Sequence, residues 1–202
     1  MPKVQSPRLS RRSCAGSTKR MQPLAVPHKR KVILPQIVAH CKPGELPANM
    51  LVDTKPYGKL LYSVNDCWLA WRDRAFAEGI KTFKPTSAAD TYRSYTTQML
   101  AWNQRMTTVP QAGKTPRAFQ GKNWWLKDGF APIAQPGKSH HNWGISVDVS
   151  EASGARFEFM AATALDYGFS WELDSEPWHV NCFNADVIPA LVLEWRKAKS
   201  LQ

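Results

Sequence analysis

Apolar residues recur at helical spacing over Leu60–Glu78, where Leu61, Val64, Trp68, Trp71 and Ala75 form one stripe and Gly79 is a natural stop. The same reasoning predicts a second helix from a Ser94 or Thr96 cap to about Met106, a third over Arg156–Tyr167 closed by Gly168, and a terminal one over Ala185–Lys199. Strand patterns are shorter. Ile145–Ser150 alternates strictly, with Ile145, Val147 and Val149 on one side and Ser146, Asp148 and Ser150 on the other, which predicts a half-buried strand with a polar face. Ile80–Lys84, Trp124–Leu126 and Pro177–Asn181 are further strand candidates. Val32–Val38 reads as an edge segment, since Pro35 would break a central strand. Loops are expected over Lys42–Pro47, over Thr107–Gly121 and in the Gly/Pro-rich stretch up to Lys138. Helices alternating with a few short strands predict an α+β domain.

Composition adds a division of the chain. The 202 residues suit one domain, and nine Trp within a 43% hydrophobic sequence can fill a core. The net charge of +11 is concentrated at one end: residues 1–42 carry ten Lys and Arg and no acid, so residues 43–202 are nearly neutral. Residues 1–42 are therefore expected to form a basic arm, poorly ordered to about residue 30, ahead of a domain over residues 43–202. A neutral body without aromatic-basic motifs excludes a specific nucleic-acid reader. No stretch approaches the roughly 20 apolar residues of a membrane span. Arg11 and Arg12 are followed by Ser-Cys-Ala-Gly-Ser rather than an apolar run, so no secretory signal peptide is expected. Cys14, Cys41, Cys67 and Cys182 make no Cys-x-x-Cys pair and are expected to be reduced, partly buried thiols.

Two segments carry candidate chemistry. In the first, His141 precedes the predicted strand, Asp148 lies on its polar face, Ser146 leaves room beside it, and Gly144 permits a sharp turn between them. A carboxylate between Val147 and Val149 needs a partner, because buried carboxylates are rarely unpaired. In the second, Glu176 stands three residues before His179. On a regular strand their side chains would diverge, so both reach one site only if Glu176 lies in the preceding loop, a break that Pro177 favours. Two His and one Asp make a three-ligand zinc set with an open position, and Glu176 beside it would serve as proton acceptor. Spacing alone leaves open that these are unrelated surface residues.

Ser139-x-His141-x-x-Gly144-x-Ser146-x-Asp148 followed by Glu176-x-x-His179 resembles the signature of VanY-like D-Ala-D-Ala carboxypeptidases. These are LAS metallopeptidases, grouped with lysostaphin-type enzymes and the hedgehog signalling domain. Tyr92-Arg93-Ser94-Tyr95-Thr96-Thr97-Gln98 resembles a further family segment, as do Trp124-Trp125-Leu126 and Gly129-Phe130-Ala131-Pro132, and the match runs in order from about residue 45 to the end. Ser146 stands where the family usually has Ala.

The resemblance implies a small central antiparallel sheet with flanking helices in a single α+β domain. It implies one Zn2+ held by His141, Asp148 and His179, with Glu176 as catalytic base. Motif spacing selects His141 over His140, and Cys182 is expected to be structural. Arg93 would bind a substrate carboxylate or stabilise the oxyanion, and Gln98 and Ser139 would help position substrate. The implied partner is bacterial peptidoglycan, cut within its stem peptides by a monomeric enzyme. An endolysin-like lytic enzyme of phage is expected, made in the host cytoplasm and acting on the wall after release, with the basic arm drawn to anionic wall polymers. The rivals are a bacterial wall-maintenance carboxypeptidase and a non-catalytic zinc or wall-binding module.

Overall fold

A computed structural model describes residues 25–200. Among them, β1 (Leu51–Asp53) and β2 (Lys59–Leu61) form an antiparallel hairpin leading directly into α1 (Tyr62–Ala77). Then come α2 (Tyr95–Arg105), β3 (Met106–Thr107), β4 (Arg117–Phe119) and β5 (Lys122–Leu126), the three strands pairing in the order β3-β5-β4. The chain continues through β6 (Ser146–Asp148), α3 (Gly154–Thr163), β7 (Phe169–Ser170), β8 (His179–Cys182) and α4 (Ala190–Ala198), with the sheet order β6-β8-β7. Every pairing between these strands is antiparallel. The α+β architecture is as expected, with the strands divided among three small sheets rather than gathered in one.

α1 buries Val64, Trp68, Trp71 and Ala75 of the predicted stripe, while Leu61, also buried, ends β2 just ahead of the helix. Trp68 stacks on Phe83 at 5.3 Å between ring centroids, and Trp71 stacks on Phe169 at 5.2 Å. Each indole is also satisfied, Trp68 donating to Lys55 O and Trp71 to Thr163 Oγ1, as buried Trp requires. This aromatic nest joins α1 to the β6-β8-β7 sheet. A second, smaller cluster of Trp102, Met106 and Ile133 holds α2 against the β3-β5-β4 sheet.

Several sequence expectations are corrected. Ile80–Lys84 is not a strand; Phe83 inserts its ring into the aromatic nest, and the backbone runs through a turn. Thr107–Gly121, expected as loop, contributes β4, whose outer position needs no apolar alternation. The terminal helix begins at Ala190, because Pro189 fits a helix start and not an interior. The basic segment is not loose from Ala25 onward. Val26 and Val38 are buried in the main core, Arg30 N–H donates to Trp171 O, and Ile33 N–H donates to Phe183 O. Apolar side chains that the charge count overlooks give this stretch a place to pack. Residues 1–24, with Cys14, lie outside the described residues. Among the described residues Cys41, Cys67 and Cys182 are free, and no helix is long and apolar enough to cross a membrane.

Candidate metal centre and its cleft

Strand register creates the centre. β6 and β8 pair so that Asp148 stands opposite His179, Val147 opposite Val180, and Ser146 opposite Asn181. Directly opposed side chains lie on one face about 5 Å apart at Cβ, so pairing alone brings two ligands together. The third comes from the turn His140–Trp143 before β6. Gly144 ends that turn at φ +65°, and a Cβ there would lie 2.9 Å from the Leu61 backbone nitrogen. Leu61 N–H in turn donates to Gly144 O at 2.9 Å, so the turn is seated on the β2–α1 junction.

His141 Nε2 lies 3.3 Å from Asp148 Oδ2, and His179 Nδ1 lies 2.6 Å from Asp148 Oδ1. One ligand atom from each residue falls within 4.8 Å of the others. His141 Nδ1 is 2.8 Å from Thr91 O, which fixes the ring and leaves Nε2 for a metal. Burial alone would raise the Asp148 carboxyl, but the hydrogen bonds and charges of His141 and His179 outweigh it and hold it well below the usual carboxylate range. Burial pushes the His141 imidazole down, against the hydrogen bond and charge of Asp148. Burial acts the same way on His179, yet the hydrogen bond and charge of Asp148, helped by Glu176, raise it. Two nitrogens and one carboxylate oxygen converging in a concave site are a zinc donor set with an open position.

The centre opens into a cleft of about 680 Å³. Glu176 lines it from the β7–β8 loop, as the spacing required. Trp171 donates its indole N–H to Pro177 O at 2.9 Å, and His179 N–H donates to Glu176 O at 3.0 Å, so the loop carrying Glu176 is tied at both sides. Arg93 also lines the cleft, with its side chain only 12% exposed. It donates from Nε to Ala89 O and from Nη1 to Gln98 Oε1, and its Nη2 lies 3.2 Å from Asp90 and 3.9 Å from Asp148. Ser139, buried at the start of the His141 turn, is part of the lining.

Gln98 is placed differently from the expectation. It is fully buried and has no surface on the cleft. Its amide oxygen accepts from Arg93 and its amide nitrogen donates to Ala134 O at 2.6 Å. It holds Arg93 rather than substrate. On the polar face of β6, Ser146 is buried and donates to Asn181 Oδ1 at 2.5 Å, while Asp148 lines the cleft. Asn181 donates onward to Glu172, which pairs with His140 at 2.9 Å. Asn181 and Glu172 escaped the sequence reading because neither belongs to a spaced motif; only the register opposite Ser146 reveals them.

A buried two-histidine, one-carboxylate centre with a carboxylate and a restrained guanidinium in the same cleft defines a metallohydrolase. The VanY family, D-alanyl-D-alanine carboxypeptidase, matches residues 63–185, a span that includes every residue of the centre. The chain belongs to this family, and it is a metallopeptidase acting on peptidoglycan peptides. Among solved structures, VanYB in complex with D-alanyl-D-alanine is similar at 16% identity, covering 77% of this chain and 88% of that chain, with a TM-score of 0.48. A zinc-bound mutant of the vancomycin-resistance D,D-pentapeptidase VanY has 16% identity, 77% and 89% coverage and a TM-score of 0.47. The L,D-carboxypeptidase DacB from Streptococcus pneumonia has 18% identity, 73% and 80% coverage and a TM-score of 0.37. No curated protein matches the chain significantly.

Proposed function

We propose that the protein hydrolyses a peptide bond in peptidoglycan stem peptides, with zinc held by His141, Asp148 and His179 and with Glu176 as the base. The observation carrying this reading is the convergence of three ligand atoms within 4.8 Å in the cleft that Glu176 and Arg93 line. When bound, zinc supplies Lewis acidity, lowering the pKa of water and polarising the scissile carbonyl. Glu176 accepts the proton of the attacking water and delivers it to the departing amine. Arg93, its guanidinium preset by Ala89 O, Gln98 and Asp90, faces the negative charge that grows on the carbonyl oxygen. Ser139, at the start of the His141 turn and in the cleft lining, helps position the peptide.

The biological setting we favour is an endolysin-like lytic enzyme of phage, acting on the wall after release from the cytoplasm. The acid-free basic character of residues 1–42 supports it through attraction to anionic wall polymers. The family match favours a second reading, a bacterial carboxypeptidase that trims stem peptides in wall maintenance. Mass spectrometry of digested peptidoglycan separates the two: new amino-terminal D-glutamyl ends mark an endopeptidase, and released D-alanine marks a carboxypeptidase. Glu176→Ala should keep zinc yet lose activity by about three orders of magnitude or more. An active Glu176→Ala protein would remove Glu176 from the role of base.

A further inference from the structure

The cleft has a cationic wall that the mechanism above does not use. Arg105 at the end of α2, Arg117 at the start of β4 and Lys138 just before Ser139 all line it. Among the described residues none of the three has an acidic partner. Three of the four acids that line the cleft are engaged elsewhere, Asp90 with Arg93, Asp148 with both histidines and Glu172 with His140; the fourth, Glu176, stands in the β7–β8 loop beside the metal centre. Three positive charges therefore line a substrate cleft with no ion pair of their own among the described residues.

The wall is also held in fixed relation to the reacting centre. Arg117 donates from Nη1 to Ile133 O at 2.6 Å, and its guanidinium lies 5.0 Å over the ring of buried Trp102. The next carbonyl along, Ala134 O, accepts from Gln98, which in turn holds Arg93. Two adjacent backbone carbonyls thus set the spacing between Arg117 and Arg93. Arg117 keeps its remaining N–H groups for a ligand, in the planar fork suited to a carboxylate.

Given the peptidase reading of this cleft, we propose that Arg105, Arg117 and Lys138 form a subsite for a second substrate carboxylate, one on an acidic residue away from the scissile bond. The enzyme then selects acidic peptides with free carboxylates over the same peptides carrying amides. An amide loses the charge and presents N–H groups to a wall that offers only donors.

The test uses one D-alanyl-D-alanine-terminated peptide in two forms, with its acidic side chains free or amidated. Affinity for zinc-loaded Glu176→Ala protein is measured by calorimetry, and cleavage by the unaltered enzyme is followed in parallel. The free-acid form should bind about tenfold tighter, with a gap that narrows as salt is raised. Combined Arg105→Gln, Arg117→Gln and Lys138→Gln should erase that preference. Arg105→Gln and Lys138→Gln break no protein hydrogen bond or ion pair among the described residues, so either alone should weaken the preference in a folded protein. Equal affinity for the two forms, or a preference that survives the triple substitution, would overturn the proposal. A preference in binding with no cleavage of either form would sustain the subsite and count against the peptidase reading.

Discussion

Gln98→Leu separates a residue that touches substrate from one that holds Arg93. Leucine has nearly the volume of glutamine, so no large cavity opens at this fully buried position. Two interactions vanish. The hydrogen bond from the Arg93 guanidinium is charge-assisted and contributes about 1.5 to 3 kcal/mol. The Ala134 carbonyl loses its donor, at a cost of about 1 to 3 kcal/mol. Together these predict a loss of about 2.5 to 6 kcal/mol, or roughly 5 to 24 °C in melting temperature for a protein of this size. Arg93 keeps Ala89 O and Asp90, so it stays in the cleft but turns more freely. Loosening a group aimed at developing charge should lower kcat about ten- to a hundredfold, with KM and zinc content little changed. Thermal denaturation, metal analysis and steady-state kinetics on a D-alanyl-D-alanine peptide read all three quantities. Unchanged stability with a raised KM alone would refute the reasoning and return Gln98 to the substrate.

Two further outcomes follow from the geometry. Gly144→Ala places a side chain at φ +65° against the Leu61 nitrogen and should cost about 1 to 3 kcal/mol; thermal melts should show the loss and metal titration a weaker zinc affinity, since the same turn carries His141. In zinc-free protein, the Asp148 carboxyl is held low, so its stabilisation is complete above its unfolded pKa of about 4 and disappears as the pH falls below that value. Melting temperature against pH should therefore drop on the acid side, and Asp148→Asn should flatten that limb.

How much was readable before folding depends on whether a feature is local. The α1 stripe, the Ser94 cap, which accepts from Thr97 N–H, and the Gly168 stop are short-range and hold in the structure. That His141, Asp148 and His179 come together, with Glu176 in the same cleft, was legible from their spacing. What spacing cannot convey is pairing between distant strands. The Ser146–Asn181–Glu172–His140 chain exists only because β8 pairs beside β6. Gln98 was misplaced for a related reason: its motif position is plain, but whether it faces the cleft or Ala134 depends on how the loop ending at Lys138 folds back over α2. Charge counting overlooked the packing of residues 25–30, where Val26 enters the core although Lys29 and Arg30 dominate the composition.

Zinc bound per chain, measured by elemental mass spectrometry on unaltered protein and on His141→Ala, Asp148→Ala and His179→Ala, tests the central claim most directly when paired with peptide cleavage on the same samples. About one zinc per chain is expected in the unaltered protein, with loss of most of it in each variant and cleavage that stops with a chelator and returns with added zinc. Full zinc in any of the three variants, or undiminished cleavage by the metal-free enzyme, would contradict that claim.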